Sequence, residues 1–315
     1  METRKIGSLD ASVVGLGCNN FGWHIDEAKT KDVVDAALDA GVTFFDTADI
    51  YGSTKSEEFL GRVLKGRRDK VVLASKFGMK IDDAHAGGAK PDYITEAIEN
   101  SLRRLDTDHL DLYQIHRPDD STPIGDTLET LNALVQAGKV REIGCSNFSA
   151  VQLQEAEEAA GNGARFVSVQ NEYSLLHREP EVTTVDGDES AVLDECSHLD
   201  IAFLPYFPLA SGLLTGKYRK GQPLPEGTRI KTDGGFSKLL TDQNLDIVEK
   251  LIAFSEARDH TILDLAFSWL LRQPTVASVI AGATSPKQIE GNAKAAGWKL
   301  TDADLEEVKA ILNGH

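Results

Sequence analysis

The stretch that decides the fold is Val42-Thr43-Phe44-Phe45-Asp46-Thr47-Ala48-Asp49-Ile50-Tyr51-Gly52. Its first part is a short apolar run of β-forming residues after Gly41, which predicts a buried strand. An amphipathic segment at 57–64 predicts a helix, so the polar part of the stretch lies on a strand-to-helix loop. Asp46 then stands at the end of a strand and Tyr51 on the loop. Taken alone, these two are also explained as a helix-capping acid and a solvent-facing ring.

Strand-like segments of the same kind recur along the chain and alternate with helical segments. Eight are predicted, at about 14–17, 43–46, 70–76, 110–116, 140–146, 166–170, 201–206 and 276–281. This alternation predicts an α/β fold with a parallel sheet, most economically a closed (β/α)8 TIM barrel. A doubly wound open sheet is the alternative. It would require a G-x-G-x-x-G fingerprint after its first strand, and the glycine-rich segment 15–22 lacks that spacing.

A β-hairpin is predicted before the first barrel strand, with strands at 4–6 and 11–14 around a turn at 7–10. The first predicted helix runs over 31–40, with Thr30 as its N-cap. The chain has 315 residues and no linker or low-complexity segment, and α/β barrels of this length form single domains. We therefore expect one barrel domain over residues 1–315.

The charge and composition limit the partners of the protein. A net charge of −17 argues against nucleic acid and anionic membranes, since both require a basic surface. No apolar run reaches about 18 residues, and the N-terminus lacks the apolar region of a secretory signal. The cysteines, Cys18, Cys145 and Cys196, lack framework spacing and are interpreted as reduced thiols. We expect a cytoplasmic protein that is monomeric or homo-oligomeric.

Polar side chains stand at the ends of the predicted strands. In chain order they are Asp46, Lys76, His116, Ser146, Gln170 and Tyr206. In a (β/α)8 barrel the loops after the carboxyl ends of the strands build the active site. Lys76 shares a strand face with Ala74, and His116 shares one with Gln114, so inward-pointing faces would place these polar groups around one mouth. Solvent contact explains any one of them. An acid, a lysine and a histidine at successive strand ends, with Tyr51 nearby, predict a chemical site.

These residues suit proton transfer to a carbonyl oxygen. A free tyrosine has a pKa of about 10, too high for efficient acid–base work near neutrality, and a nearby lysine cation lowers it. Asp46 would keep Lys76 charged and oriented, and His116 would hydrogen-bond the carbonyl oxygen or the phenol. The histidines lack zinc-like spacing and no G-x-S-x-G elbow occurs, so we expect neither a metal site nor a serine hydrolase.

Together these segments resemble the aldo-keto reductases. The resemblance covers essentially the whole chain in order and rests on the segments 46–52, 75–76, 113–116, 144–148, 170–175, 205–218 and 281–292. It is strongest with the bacterial general reductases, a branch that is also similar to the potassium-channel β subunits. The resemblance implies reversible, NADPH-dependent reduction of aldehydes and ketones to alcohols on a (β/α)8 barrel with an N-terminal hairpin.

The resemblance also implies roles for individual residues. The implied catalytic set is Asp46, Tyr51, Lys76 and His116. Tyr51 would donate the proton, Lys76 and Asp46 would tune it, and His116 would orient the carbonyl group. A small carbonyl compound is therefore the expected substrate.

The implied cofactor contacts fall into three groups. Ser146, Asn147 and Gln170 would hold the nicotinamide carboxamide, and Tyr206 would stack on the ring. Contacts near the pyrophosphate would come from Leu209, Ser211 and Lys217. The remaining implied contacts are Gly17, Asp46, Gly282, Thr284, Gln288 and Asn292, the last four of which match the adenosine-phosphate end.

Two departures bear on the choice of cofactor. Many aldo-keto reductases have arginine where this chain has Gln288, and an acidic residue where it has Gly291. We expect NADP(H) as cofactor, with a smaller preference over NAD(H) than in relatives with that arginine. The helix opened by Pro286 should offer free N–H groups, and Thr284 a hydroxyl, to a phosphate.

Other interpretations stay open at this point. A nicotinamide-binding regulatory or redox-sensing subunit with little turnover would share the fold. A Schiff-base lyase would use Lys76 as a neutral amine, whereas Asp46 would keep that amine charged. Trp23, Phe77 and Met79 are interpreted either as walls of a substrate pocket or as ordinary core residues.

Overall fold

The chain begins with an antiparallel hairpin of β1 (Thr3–Ile6) and β2 (Leu9–Ser12) in a computed structural model that describes residues 1–182, 190–226 and 234–314. Ile6 pairs with Leu9, so the turn is tighter than the sequence predicted and uses Gly7 at a φ of +55°. Ile6 and Leu9 are buried with residues of the barrel interior such as Phe44. The predicted hairpin is confirmed, and its apolar side closes one end of the barrel.

The centre of the molecule is a parallel sheet of eight strands. In chain order they are β3 (Val14–Gly17), β4 (Phe44–Asp46), β5 (Val72–Phe77), β6 (Leu110–Ile115), β7 (Val140–Ser146), β8 (Phe166–Gln170), β9 (Ala202–Phe203) and β10 (Val279–Gly282). The strands pair in the order β10-β3-β4-β5-β6-β7-β8-β9. The Phe203 N–H donates to the Thr275 carbonyl at 2.7 Å, and the Ala277 N–H donates to the Phe203 carbonyl at 3.1 Å. These bonds join the two edges, and the predicted (β/α)8 barrel is confirmed.

The last two strands are shorter than predicted. The segment 201–206 contains Pro205, which has no N–H to give to a ladder, so regular pairing in β9 covers only Ala202–Phe203. The Val276 N–H bonds to the Gln273 carbonyl in a turn, and β10 starts only at Val279. Both differences come from local hydrogen bonding that the apolar pattern does not reveal.

Ten α-helices surround the sheet in the described ranges. They are α1 (Glu27–Asp39), α2 (Lys55–Val63), α3 (Pro91–Leu105), α4 (Ile124–Gln136), α5 (Ala150–Ala160), α6 (Val192–His198), α7 (Asp242–Glu256), α8 (Ile262–Leu271), α9 (Pro286–Ala295) and α10 (Asp302–Asn313). Their apolar faces pack on the outside of the strands in one large core. Within the described ranges, no helix is long and apolar enough to cross a membrane.

The N-cap predicted for α1 is wrong. Asp26 caps this helix, and its side chain accepts a hydrogen bond from the Lys29 N–H at 3.0 Å. Thr30 lies inside the first turns, where its hydroxyl donates to the Asp26 carbonyl at 2.8 Å. A threonine can bond back to the carbonyl four residues earlier, so its presence alone does not mark the start of a helix.

Helices α2 and α3 approach each other unusually closely at Gly61. A Cβ at this position would lie 2.4 Å from the carbonyl oxygen of Arg104. That distance is far inside van der Waals contact, and the obstacle is backbone rather than a movable side chain. Gly125, near the start of α4, has no such neighbour within 4 Å.

We expect Gly61→Ala to lower the free energy of unfolding by about 1–3 kcal/mol, since overpacking forces two helices apart. Gly125→Ala is the matched control, because alanine favours helix over glycine by up to about 1 kcal/mol where space is open. Urea unfolding of both variants measures the difference. A Gly61→Ala protein as stable as the parent would show that the two helices can separate at no cost.

Candidate active site

The carboxyl ends of the strands form the mouth of the barrel, and Asp46 is the last residue of β4 at this end. The parallel register places Asp46 beside Ala74 of β5. The loop after Asp46 carries Tyr51 and turns at Gly52, which has a φ of +59°. A Cβ on Gly52 would lie 2.4 Å from the Phe21 carbonyl oxygen. Glycine is therefore required here by the close approach of two loops, and this contact fixes the position of Tyr51.

Lys76 lies at the centre of the site. Its side chain is fully buried, and its amine donates to Asp46 Oδ2 at 2.6 Å and to the Thr47 carbonyl at 3.0 Å. The same amine lies 3.3 Å from the Tyr51 hydroxyl. These acceptors together can use every proton of an ammonium group. The structure thus brings the acid, the lysine and the tyrosine of the sequence analysis into direct contact.

Lys76 stays protonated although it is buried. Burial alone would lower its pKa, but the neighbouring Asp46 and Tyr51 outweigh that effect and raise the pKa of Lys76. A protonated amine has no lone pair with which to attack a carbonyl carbon. The geometry therefore disfavours the Schiff-base alternative.

The acidity of Tyr51 differs from the expectation that the lysine lowers its pKa. Burial raises the pKa of Tyr51, Lys76 reverses only part of that shift, and Asp46 acts in the same direction as burial. The expectation is wrong in its net direction because the sequence reveals the neighbouring cation but not how far the fold removes water from the phenol. Tyr51 is consequently a protonated phenol at neutral pH, which is the form that can donate a proton.

His116 follows β6 and faces the same mouth. Its ring meets the Tyr51 ring edge-on, with the centroids 5.8 Å apart. Burial, together with the charges of Lys76 and Arg117, lowers the pKa of His116 to about 3. The imidazole is therefore neutral in the physiological range and carries one N–H donor. It can orient an oxygen atom without adding charge to the site.

A second polar network lies at the ends of β7, β8 and β9. Asn147 has a φ of +63°, and its side-chain nitrogen donates to the His116 carbonyl at 2.9 Å. Its side-chain oxygen accepts from the Tyr206 hydroxyl at 2.8 Å. The Ser146 hydroxyl donates to the Gln170 carbonyl at 2.6 Å. Because Asn147 Nδ2 also donates to the Ser146 hydroxyl at 3.1 Å, the residues predicted at the carboxamide end form one connected network beside His116.

Gln114 and Asn171 also belong to this region, and the sequence reasoning missed both. Gln114 Nε2 donates to Asp46 Oδ1 at 3.2 Å, and Gln170 Nε2 donates to the same oxygen at 2.9 Å. Asn171 Oδ1 accepts from the Asn147 N–H at 2.7 Å. The only available signal for Gln114 was its place on the same strand face as His116. Asn171 directly follows Gln170 and had no signal of its own.

The loop after β9 has an unusual backbone. Ala210, Ser211 and Gly212 have successive positive φ angles of 44°, 55° and 97°. Lys217 lies across this turn, since a Cβ on Gly212 would come within 2.5 Å of its Nζ. Lys217 is exposed and has no carboxylate partner in the described part of the chain, while Leu209 packs against the core. The loop therefore offers the Ser211 hydroxyl and the exposed Lys217 cation, a donor set that suits a phosphate.

The remaining predicted cofactor contacts lie where β3 and β10 end and α9 begins. Gly17 and Gly282 are register partners at those strand ends. Gln288 Oε1 accepts from the Thr284 N–H at 2.7 Å and from its hydroxyl at 3.0 Å. The Thr284 hydroxyl, which the sequence analysis left free for a phosphate, is thus occupied by Gln288, and so is the Thr284 N–H. Asn292 is buried, and its Nδ2 has no partner among the described residues.

The structure distinguishes between the two interpretations of Trp23, Phe77 and Met79. Phe77 is fully buried and lies against Tyr113 at 4.8 Å between ring centroids, so it belongs to the core. Trp23 is 54% exposed and contacts the His24 ring at a tilt of 32°, while Met79 is half-buried. Only Trp23 and Met79 remain available to line a pocket.

A buried acidic cluster that the sequence analysis did not include lies behind the Tyr51 loop. Glu57 is fully buried and accepts from the Ser75 hydroxyl at 2.5 Å and from Arg104 Nε at 2.7 Å. Asp49 is 1% exposed, and neither carboxyl oxygen has a hydrogen-bond partner among the described residues. Burial, followed by the charge of Glu57, raises the pKa of Asp49 to about 8.

We expect Asp49→Asn to stabilise the protein increasingly as the pH rises from about 4 to about 8. In this window folded Asp49 keeps a proton that the unfolded chain releases, so its ionisation favours unfolding by up to about 1.4 kcal/mol per pH unit. Thermal unfolding at several pH values measures the gain, with the exposed Asp120→Asn as control. A gain that does not depend on pH would mean that Asp49 is ionised in the folded protein.

Comparison with known proteins agrees with the fold and identifies the family. The family model described as Aldo/keto reductase family matches residues 13–313. Aldo-keto reductase YhdN of Bacillus subtilis (strain 168) is 36% identical over 96% of this chain and 91% of its own length. Aldo-keto reductase yakc of Schizosaccharomyces pombe, whose name carries the label NADP(+), is 34% identical over 98% of this chain and 91% of its own length. The chain therefore belongs to the aldo-keto reductase family and is an oxidoreductase enzyme.

Proposed function

We propose that the protein reduces aldehydes and ketones to alcohols, reversibly, with NADPH as cofactor and Tyr51 as proton donor. The observation that carries the proposal is the contact of the Tyr51 hydroxyl with a buried, charged Lys76 at 3.3 Å. Asp46 holds that lysine at 2.6 Å. Family membership supports carbonyl chemistry with a nicotinamide cofactor.

The geometry supports a separate role for each of Tyr51, Lys76 and His116 in the proton transfer. Tyr51 gives its hydroxyl proton to the carbonyl oxygen as the carbon–oxygen double bond becomes a single bond. Lys76 stabilises the phenolate that remains, because its charge lies next to the phenol oxygen. His116, neutral and at the same mouth, donates its N–H to the substrate oxygen and so orients the carbonyl group. In the direction of alcohol oxidation the same phenolate accepts the proton.

The residues at the mouth fit a dinucleotide cofactor. A bound NADPH would supply the hydride to the carbonyl carbon. Ser146, Asn147 and Gln170 would hold its carboxamide, and Tyr206 would lie against the nicotinamide ring. The cation of Lys217 and the hydroxyl of Ser211 suit a pyrophosphate. The buried amide nitrogen of Asn292, which has no partner among the described residues, could donate at the α9 end, where the adenosine portion would bind.

The alternative of a nicotinamide-binding regulatory subunit receives less support. A regulatory subunit with little turnover would not need Tyr51, Lys76 and Asp46 in hydrogen-bond contact, and a turnover assay separates the two functions. We also propose that residues 1–315 act as one domain on a small carbonyl substrate in the cytoplasm, without nucleic acid or membrane as partners. The strongly negative net charge of −17 supports the exclusion of nucleic acid.

We expect Tyr51→Phe to keep the fold and cofactor binding but to lose about 10²–10⁴-fold in carbonyl reduction, the usual contribution of positioned proton transfer. Tyr113→Phe is the matched control, because it removes the same group from a buried ring that lies on the opposite face of β6 from Gln114. Steady-state kinetics with an aldehyde panel and NADPH measures both variants. If Tyr51→Phe turns over within a few-fold of the parent, Tyr51 is not the proton donor.

We expect the parent to use NADPH better than NADH and Gln288→Arg to increase that preference. Arginine adds a charge and a bidentate donor, and it cannot accept the hydrogen bonds that Gln288 takes from Thr284. Charge-assisted bonds contribute about 1.5–3 kcal/mol against about 1 for neutral ones, so a gain of roughly tenfold is expected.

The measurement is kcat/KM for both cofactors with one aldehyde. Gln136→Arg, at the exposed end of α4, provides the matched change in net charge. Better use of NADH by the parent, or no gain for NADPH in Gln288→Arg, would contradict a phosphate site at the start of α9.

A further inference from the structure

We infer that Gln114 is a positioning residue that holds Asp46 toward Lys76, so that Asp46, Lys76 and Tyr51 act as one hydrogen-bonded unit. The inference deepens the proposed carbonyl reduction and rests on it. The Gln114 side chain has no hydrogen bond to Tyr51 or Lys76 in the described structure, and its hydrogen-bond link to the unit runs through the carboxylate of Asp46.

The contacts of Asp46 show how its orientation is set. Asp46 is 2% exposed, and both of its carboxylate oxygens accept hydrogen bonds. Oδ2 accepts from Lys76 at 2.6 Å, while Oδ1 accepts from Gln114 at 3.2 Å and from Gln170 at 2.9 Å. A carboxylate that lost its Oδ1 donors could rotate about its own bond and weaken the contact with Lys76.

The two glutamines also fix the orientation of each other. Gln170 Nε2 lies 3.4 Å from Gln114 Oε1, so the oxygen of Gln114 faces a donor while its nitrogen faces Asp46. Since an ionised carboxylate only accepts, a reversed amide at either position would place two acceptors in contact. Gln114 therefore has one favourable orientation, and it is fully buried on β6.

The charge of Asp46 explains why a neutral donor matters at this position. Asp46 opposes formation of a phenolate at Tyr51 by like-charge repulsion, whereas Lys76 favours it. The positive ends of the amide N–H groups on Oδ1 offset part of the negative charge of the carboxylate and so reduce its repulsion of a phenolate. Without Gln114, Tyr51 would be a weaker acid, and its phenolate would form at higher pH.

Several titratable groups surround Tyr51. The groups that face it from the packed elements are Cys18 after β3, Asp46 on β4, Lys76 on β5, His116 after β6 and Tyr206 after β9. Among the described side chains, the hydrogen bonds of Gln114 go only to Asp46 and Gln170. Removing its amide donor therefore changes the hydrogen bonding of the unit through Asp46.

The first test is Gln114→Met, which keeps the length of the side chain and removes the donor. We expect kcat to fall about three- to tenfold in reduction and in oxidation alike, because a weaker acid transfers its proton more slowly and an enzyme cannot shift the equilibrium. The KM values and the NADPH dissociation constant, measured by quenching of protein fluorescence, should stay within about twofold. The pH midpoint of alcohol oxidation should move upward by about half to one unit.

The second test is Gln114→Glu, which is nearly isosteric. Beside Asp46 the introduced carboxyl should have a raised pKa, and in its protonated form it offers an O–H donor to Oδ1. We expect near-parent turnover at low pH and a growing deficit as the pH rises and the new carboxyl ionises. Ser168→Ala, a buried polar change on β8 without a hydrogen bond to Asp46, is the control and should follow the parent at every pH.

The outcomes separate the inference from the function on which it rests. A parent that turns over no aldehyde or ketone would overturn both. An active parent with a Gln114→Met variant of unchanged kcat and pH profile would overturn the inference alone, as would a loss confined to KM or cofactor affinity. If circular dichroism shows that Gln114→Met does not fold, the Gln114→Glu variant decides the question. A ratio of its turnover to that of the parent that stays constant with pH would then contradict the inference.

Discussion

A lysine and an aspartate buried in direct contact are the constraint on which this site depends. Burying either charge alone would cost several kcal/mol, and removing one partner of such a pair typically costs about 3–5 kcal/mol. The Lys76 amine at 2.6 Å from Asp46 offsets part of that cost. The rest requires further hydrogen bonds, which come from the Thr47 carbonyl, the Tyr51 hydroxyl and the amides of Gln114 and Gln170. The polar residues around the pair therefore keep it stable and also hold the proposed proton donor.

The barrel makes this arrangement possible because it separates an apolar end from a polar end. Ile6 and Leu9 of the hairpin pack with the apolar part of the barrel interior, while the carboxyl ends of the strands carry the polar groups. The removal of water has opposite effects on the individual groups. It raises the pKa of Tyr51 and lowers that of His116, so the site holds a protonated phenol and a neutral imidazole around a single buried cation. These are the protonation states that donation to a carbonyl oxygen requires.

Much of the fold and part of the site were predictable because the signals are local. Apolar runs, helix periodicity and glycine stops predicted every strand of the barrel to within a few residues, and the strand-end rule singled out Asp46, Lys76 and His116. Errors occurred where a nearby hydrogen bond competed with the pattern, as with Asp26 in place of Thr30 at the start of α1. Pro205 shortened β9 for a similar local reason.

The sequence by itself determined the alternation of elements and which chemical groups stand at the strand ends, since each depends on neighbouring residues. Only the tertiary structure decided the partners of those groups. Gln170 and Asp46 are 124 positions apart in the chain, and their hydrogen bond follows from barrel closure and strand register rather than from any pattern along the sequence. The same holds for the net direction of the Tyr51 pKa and for the raised pKa of Asp49, whose carboxyl has no hydrogen-bond partner among the described residues. Each depends on how much water the folded chain excludes from a group, and that exclusion is a property of the packed molecule.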